Sequence, residues 1–148
     1  MTSPEQEQEA IVDSPTGWVA AHIRSYVESN GGKGAVFQGV PALLLTTRGR
    51  RSGTLRRTAL YYGQDRGRYL LVASNGGSRQ HPAWYLNLAE QPEVDVQVGP
   101  ETFRGLARTA TTEERPELWR QMASIFPLYD TYQGKAGRQI PLVIVERA

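Results

Sequence analysis

The chain has 148 residues, no cysteine and two histidines, which reads as one compact domain without a disulfide framework, a thiolate nucleophile or a thiolate metal site. A mean hydropathy of −0.48, with no apolar run of membrane-spanning length, excludes a spanning helix. The net charge of +2 hides an asymmetry: Glu5, Glu7, Glu9 and Asp13 fall in the first 13 residues with no base among them, so setting those four acids aside leaves +6.

Residues 1–15 read as a disordered, solvated acidic tail that lacks the basic and apolar regions of a signal peptide, and cytoplasmic localisation is the simplest expectation. Residues 16–148 read as the single folded domain. Apolar residues at 18, 19, 23, 26 and 27, stopped by Asn30-Gly31-Gly32, predict a helix over 16–29. It either covers one end of a barrel, with His22 structural, or touches a membrane peripherally. A glycine-rich connection over 31–41 carries no familiar nucleotide loop. Strands follow at 42–48, 56–63 and 68–75, joined by turns short enough to make them antiparallel neighbours, the second turn being Gln64-Asp65-Arg66-Gly67. A short helix over 81–90 ends before Pro92, and Val94, Val96 and Val98 alternate with polar residues as a half-buried strand. A strand over 102–110 leads to Thr111 or Thr112 as the cap of a helix whose first turn holds Glu113, Glu114 and Pro116. Residues 127–137 read as an aromatic loop and 140–146 as a final buried strand. Six short strands with helices between and around them predict an α+β fold built on a mostly antiparallel barrel.

Chemistry concentrates between Ala42 and Trp84. Seven arginines lie between Arg48 and Arg68 against one acid, Asp65, which points to an anionic partner. Gly49-Arg50-Arg51-Ser52-Gly53 is either a phosphate clamp or a solvated hairpin tip. As a clamp, its glycines present backbone N–H groups, Arg50 and Arg51 fork onto phosphate, Ser52 adds a hydroxyl, and Arg56 returns to the same place. Val72-Ala73-Ser74-Asn75-Gly76-Gly77 ends a strand in a glycine corner. That corner can offer a flat ring its backbone groups, with Ser74 as the polar side chain. Trp84 and Tyr85 stand beside it, and Tyr129 and Tyr132 read either as a pocket wall and proton donors or as surface packing. Two separated histidines support neither a metal site nor a Ser/His/Asp triad, which leaves a bound organic cofactor as the economical source of chemistry.

Leu45-Thr46-Thr47 with Gly49-Arg50-Arg51-Ser52-Gly53, Ala73-Ser74-Asn75-Gly76-Gly77, Pro82-Ala83-Trp84-Tyr85-Leu86-Asn87-Leu88, and Tyr129-Asp130-Thr131-Tyr132-Gln133 followed by Arg138-Gln139-Ile140-Pro141 resemble, in order, the deazaflavin-dependent nitroreductase family over roughly residues 35–147. The resemblance implies a six-stranded split β-barrel of the flavin-reductase type and coenzyme F420, whose deazaflavin carries a phosphate-linked polyglutamate tail. Residue by residue, Arg50, Arg51, Ser52 and Arg56 match the family's phosphate and tail clamp. Tyr61, Val72, Ala73, Ser74, Gly76, Gly77, Pro82, Ala83 and Trp84 match the ring groove, and Tyr129 and Tyr132 the substrate side. Two positions depart from the pattern: Asn75 stands where relatives often carry lysine, with Arg79 nearby as a substitute cation, and Phe126 stands where some members have tyrosine. The implied activity is hydride transfer from the reduced deazaflavin to a quinone, or to a nitro or enone compound, by a monomer or homodimer. The competing readings are an FMN- or haem-binding split barrel and a nucleic-acid-binding barrel stacking bases on Tyr61, Tyr62 and Tyr69. The concentration of arginines at one turn argues against nucleic acid.

Overall fold

The computed structural model describes residues 9–15, 17–37 and 39–148. In chain order the elements are β1 (Ile11–Asp13), α1 (Gly17–Glu28), β2 (Val36–Phe37), β3 (Val40–Arg48), β4 (Leu55–Tyr61), β5 (Gly63–Asp65), β6 (Arg68–Val72), α2 (Ala83–Glu90), β7 (Glu93–Val98), β8 (Glu101–Thr109), α3 (Arg115–Ile125), α4 (Leu128–Ala136) and β9 (Leu142–Arg147). The fold is α+β, with four helices around one large sheet. Each of the six expected strands has a counterpart, the one expected over 68–75 ending at Val72, but among the described residues the sheet has nine, because β1, β2 and β5 add two- or three-residue pieces.

The sheet runs β1-β4-β3-β7-β8-β9-β6-β5, with β2 paired to β3. Every pairing is antiparallel except β1 on β4. Only Tyr62 separates β4 from β5, so these two pieces, far apart along the sheet order, are consecutive in the chain. The apolar runs of β3, β6 and β9 are continuous because both faces of the sheet are covered. Leu43, Leu45, Tyr69, Leu71, Val143 and Val145 join one buried cluster, while Leu70, Val72, Leu142 and Ile144 join another with Leu118, Met122 and Tyr129 from α3 and α4. In β6 and β9 odd and even positions thus feed different cores, as the two-residue side-chain period demands.

Helix α1 covers one end of the sheet, burying Val19, Ile23 and Tyr26 against Leu44. The Tyr26 hydroxyl accepts from Gly99 N at 2.7 Å and donates to Ala42 O at 3.1 Å, fastening the helix to two strands. The His22 Nε2 donates to Gly34 O at 2.8 Å and its ring stacks on Phe37. Trp18, counted on the buried stripe by spacing, is 63% exposed.

Two expectations are corrected. The acidic tail over 1–15 ends early, because Ile11–Asp13 form a strand parallel to β4. That strand is tied down by Arg57, which reaches both Asp13 oxygens at 2.6 and 3.1 Å, and residues 1–8 lie outside the described residues. The expected loop over 127–137 is helix α4, closed by Gly137 in the left-handed region at φ 69°. The α3 cap lies where expected: Thr111 Oγ1 accepts from Glu114 N at 3.2 Å, and Glu114 Oε1 accepts from Thr111 N at 2.8 Å, a reciprocal capping box.

Candidate active site

Two adjoining cavities lie along the face formed by β4, the end of β6, α1, α2 and α4. The first, of about 460 Å³, is lined by Arg50, Arg51, Ser52 and Arg56 together with Ala83 and Trp84, and is walled on its far side by Val12–Pro15. The second, of about 740 Å³, is lined by Tyr61, Val72, Ser74, Gly76, Pro82, Tyr129 and Tyr132, and by Phe126. Ser14, Thr58 and Trp84 line both, so the two form one groove, cationic at one end and aromatic at the other.

At the cationic end, the turn between β3 and β4 is closed by Gly49 N to Thr54 O at 2.8 Å and Gly53 N to Gly49 O at 2.9 Å. Two neighbouring arginines are neutralised by the N-terminal segment: Arg48 forks onto Glu9 at 2.6 and 2.7 Å, and Arg57 onto Asp13. Among the described residues no carboxylate lies within 4.0 Å of Arg50, Arg51 or Arg56. Their charge therefore remains available to an anion. Asn87 on α2, 3% exposed, organises this turn. Its Oδ1 accepts from Arg50 N at 3.1 Å and Nη1 at 3.3 Å, and its Nδ2 donates to Thr47 Oγ1 at 3.1 Å.

At the aromatic end, Ser74, Tyr61, Tyr129 and Tyr132 bring four hydroxyls to one cavity. None is hydrogen-bonded among the described residues, and none is sealed away unpaired, since the one buried orphan polar side-chain atom among those residues is Arg115 Nε, which lines neither cavity. Burial pushes the Tyr129 phenol well above its ordinary value, with Tyr61 and Tyr132 adding to the effect, so Tyr129 stays a neutral donor. Burial raises Tyr61 as well, helped by Tyr132. Phe126 packs on Tyr61 and Tyr129 with ring centroids 5.0 and 4.9 Å away, an apolar contact within the hydroxyl cluster.

Two candidates stand apart from both cavities. Ala73 is fully buried, its N–H on Pro141 O at 3.0 Å. Gly77, at φ 83°, is packed against α4 so closely that a Cβ there would lie 2.7 Å from Lys135 Cε and 3.1 Å from the Tyr132 Cα. Asn75 adopts φ 48°, which asparagine tolerates better than most residues, and lines the aromatic cavity. Arg79 lines neither cavity. Asn87 and Arg138 were visible only as parts of motifs. The available signal was an amide inside an otherwise apolar helix, which usually means a specific buried bond.

The family model described as F420H(2)-dependent quinone reductase matches residues 18–147. The F420H(2)-dependent quinone reductase Rv1261c of Mycobacterium tuberculosis is 36% identical over 131 residues, covering 85% of this chain and 87% of the relative. The structure of an F420-H2-dependent reductase, FDR-A, is 40% identical at a TM-score of 0.66, covering 72% of this chain and 94% of that one. A structure described as a domain-swapped dimer is 36% identical at a TM-score of 0.69, covering 90% and 100%. The chain therefore belongs to the F420H(2)-dependent quinone reductase family, a family of oxidoreductases whose cofactor is coenzyme F420.

Proposed function

We propose that this chain reduces a quinone with reduced coenzyme F420, holding the phosphate and polyglutamate tail at the arginine turn and the flat ring at the glycine corner. The observation that carries the reading is the continuity of the two cavities through Ser14, Thr58 and Trp84. A ligand with an anionic tail and a planar aromatic head matches that change of character along one groove. The fit is chemical at both ends. Three arginines without carboxylate partners among the described residues and the hydroxyl of Ser52 suit a phosphodiester, and Val72, Gly76, Pro82 and Trp84 offer apolar surface to a ring. We also infer that the β4–β5 bend at Tyr62 brings the sheet round into the split barrel, with β4 and β5 acting as a single strand.

When bound, the cofactor supplies hydride from C5 of its reduced ring. The residues of the chain supply position and electrostatics. Trp84 walls the groove between the tail and ring sites. The Ser74 hydroxyl and the phenols of Tyr129 and Tyr132 orient the oxygen of the acceptor and donate hydrogen bonds to it as charge develops there. Tyr129 does this as a phenol at every working pH, and solvent through the cavity mouth supplies the proton. With phenylalanine at 126 the acceptor side has one hydrogen-bonding group fewer than a tyrosine would give, which counts against nitroimidazole-type acceptors. Trp18 and Leu128, 63% and 47% exposed, stand at the mouth of the aromatic cavity and would carry any peripheral contact with a membrane. A dimer is the expected assembly, to be checked by light scattering.

The test is a fluorescence titration with oxidised coenzyme F420, with FMN in parallel, followed by turnover of quinones and nitro compounds with the reduced cofactor. Micromolar or tighter selective binding and faster quinone turnover are expected. Preference for FMN would overturn the assignment.

A further inference from the structure

The glycine corner has no strand partner of its own. After β6 ends at Val72, Asn75, Gly76 and Gly77 follow one another at φ 48°, 63° and 83°. Three successive left-handed residues are costly to hold in a single conformation, and glycine gives up the most freedom in doing so. Internal bonds are few: Gly77 N to Ser74 O at 2.9 Å, Ser78 N to Asn75 O at 3.1 Å, Gln80 N to Ser78 Oγ at 3.1 Å, and Asn75 Nδ2 to Gln80 O at 3.0 Å.

The segment is instead gathered around one guanidinium from the link between α4 and β9. Arg138 donates through Nε to Ser78 O at 3.0 Å. Its Nη2 serves Ser74 O and Gln80 O, each at 3.1 Å, and Ala73 O at 3.3 Å, and its Nη1 lies 3.0 Å from His81 Nδ1. Four carbonyls and one imidazole nitrogen thus converge on a cation that pairs with no carboxylate among the described residues. Its backbone is fixed as well. Gln133 Nε2 donates to Arg138 O at 2.6 Å, while Gln133 Oε1 accepts from Ile140 N at 2.9 Å and Arg115 Nη2 at 3.0 Å.

We propose that Arg138 is the positioning residue of the ring-binding corner, with the neutral Nδ1 of His81 as its fifth acceptor, so that affinity for the ring falls when His81 is protonated. The proposal rests on the cofactor reading above. Ser74, Asn75 and Gly76 line the aromatic cavity, and Pro82 follows His81 directly, so movement of the corner alters the surface that meets the ring. The charged or titratable groups around His81 are the Arg138 guanidinium and, from α2, Tyr85, whose ring lies 4.9 Å away and whose hydroxyl is engaged with Thr109 Oγ1 at 2.8 Å. Only the guanidinium is charged, and a proton on Nδ1 would set two cations against each other where a hydrogen bond now stands. Burial and the nearby Arg138 both hold the imidazole below its usual value, in line with this arrangement.

The experiment measures the dissociation constant of oxidised coenzyme F420 for the wild-type chain, His81→Gln and Arg138→Lys at about pH 7.5 and about pH 5, the lower value set well under the ordinary imidazole range because burial and Arg138 hold His81 down. Wild-type affinity should fall about fivefold or more on acidification, the usual scale of coupling between two sites. His81→Gln, which has no imidazole to take up the proton, should show no such fall between the two pH values. Comparison at each pH cancels titration of the ligand itself. Arg138→Lys, which keeps the charge but loses the fork, should bind more weakly at both. Parallel pH profiles for the wild type and His81→Gln would overturn the proposal. If the wild type bound no deazaflavin, the cofactor reading would fall, and amide exchange over residues 74–81 of the free protein at about pH 5 would decide the role of Arg138. Faster exchange in the wild type than in His81→Gln supports it, and equal exchange overturns it.

Discussion

Charge at the arginine turn is divided between two duties. Arg48 and Arg57 hold Glu9 and Asp13, and Arg50, Arg51 and Arg56 face the cationic cavity without such partners among the described residues. Replacing Arg50 and Arg51 by alanine should raise the dissociation constant for the cofactor at least about tenfold, since each forked contact to an anion contributes roughly 1.5–3 kcal/mol. An unchanged constant would remove the clamp from the function. Asn87→Ala tests the support of that turn. It strips the acceptor from Arg50 and the partner from Thr47 in a buried setting, so about 1–3 kcal/mol of stability should be lost along with cofactor affinity, read by thermal melting and titration. The arginines were legible because glycines bracket them within five residues. Asn87 was not, because its contact spans 37 positions and depends on where the sheet sets α2.

Among the elements, α4 differs most from expectation. Pro127 and Gly137, which punctuate loops, also start and stop helices, and Gly137 closes this one in the left-handed conformation. The helix is held by burial rather than propensity. Tyr129 and Ala136 pack into the core, and Asp130 accepts from Trp119 Nε1 at 2.8 Å. Its consequence for the site is that Tyr129 and Tyr132, three positions apart, share a helix face as a fixed wall. Tyr129→Phe should preserve the fold and cofactor binding while lowering kcat for quinones by about a hundredfold, the low end of the scale for removing a preorganised donor. Equal loss in cofactor affinity would reassign Tyr129 to the ring site. Helix α3 gives the pH-dependent prediction. Arg108 at 2.8 and 2.9 Å, with the Thr111 N–H, holds Glu114 at about 2 against an ordinary 4.5. The unfolded chain therefore takes up this proton first, so the stabilisation is complete above about pH 4.5 and disappears as pH falls toward 2. Glu114→Gln should flatten that part of the melting temperature against pH, and an unchanged slope would reassign it to other carboxylates.

For the molecule as a whole, the six long strands were legible because apolar runs, alternation and turn residues mark them locally. The three extra strands have two or three residues each, too few to show a period, and the parallel pairing of Ile11–Asp13 with Leu55–Arg57 joins segments 44 positions apart. That pairing matters to function, because Val12–Pro15 wall the cationic cavity and Ser14 also lines the aromatic one. Ile11 and Val12 are 41% and 40% exposed, so the strap adds little to the core. Its attachment is two partly exposed ion pairs, each worth about 1 kcal/mol or less, and three residues of pairing on a sheet edge. Removing residues 1–13 should consequently change the melting temperature by only a few degrees while weakening cofactor binding several-fold. Two effects oppose each other here: loss of the wall opens the cavity to solvent, and release of Arg48 and Arg57 adds charge to it. The double substitution Glu9→Gln and Asp13→Asn separates them, since it frees both arginines and leaves the backbone of the wall in place. Tighter binding in the double variant and weaker binding in the truncation, both by the same titration, would establish that the strap acts as a wall. If both variants bound more tightly, the strap would instead compete with the anionic tail for the arginines.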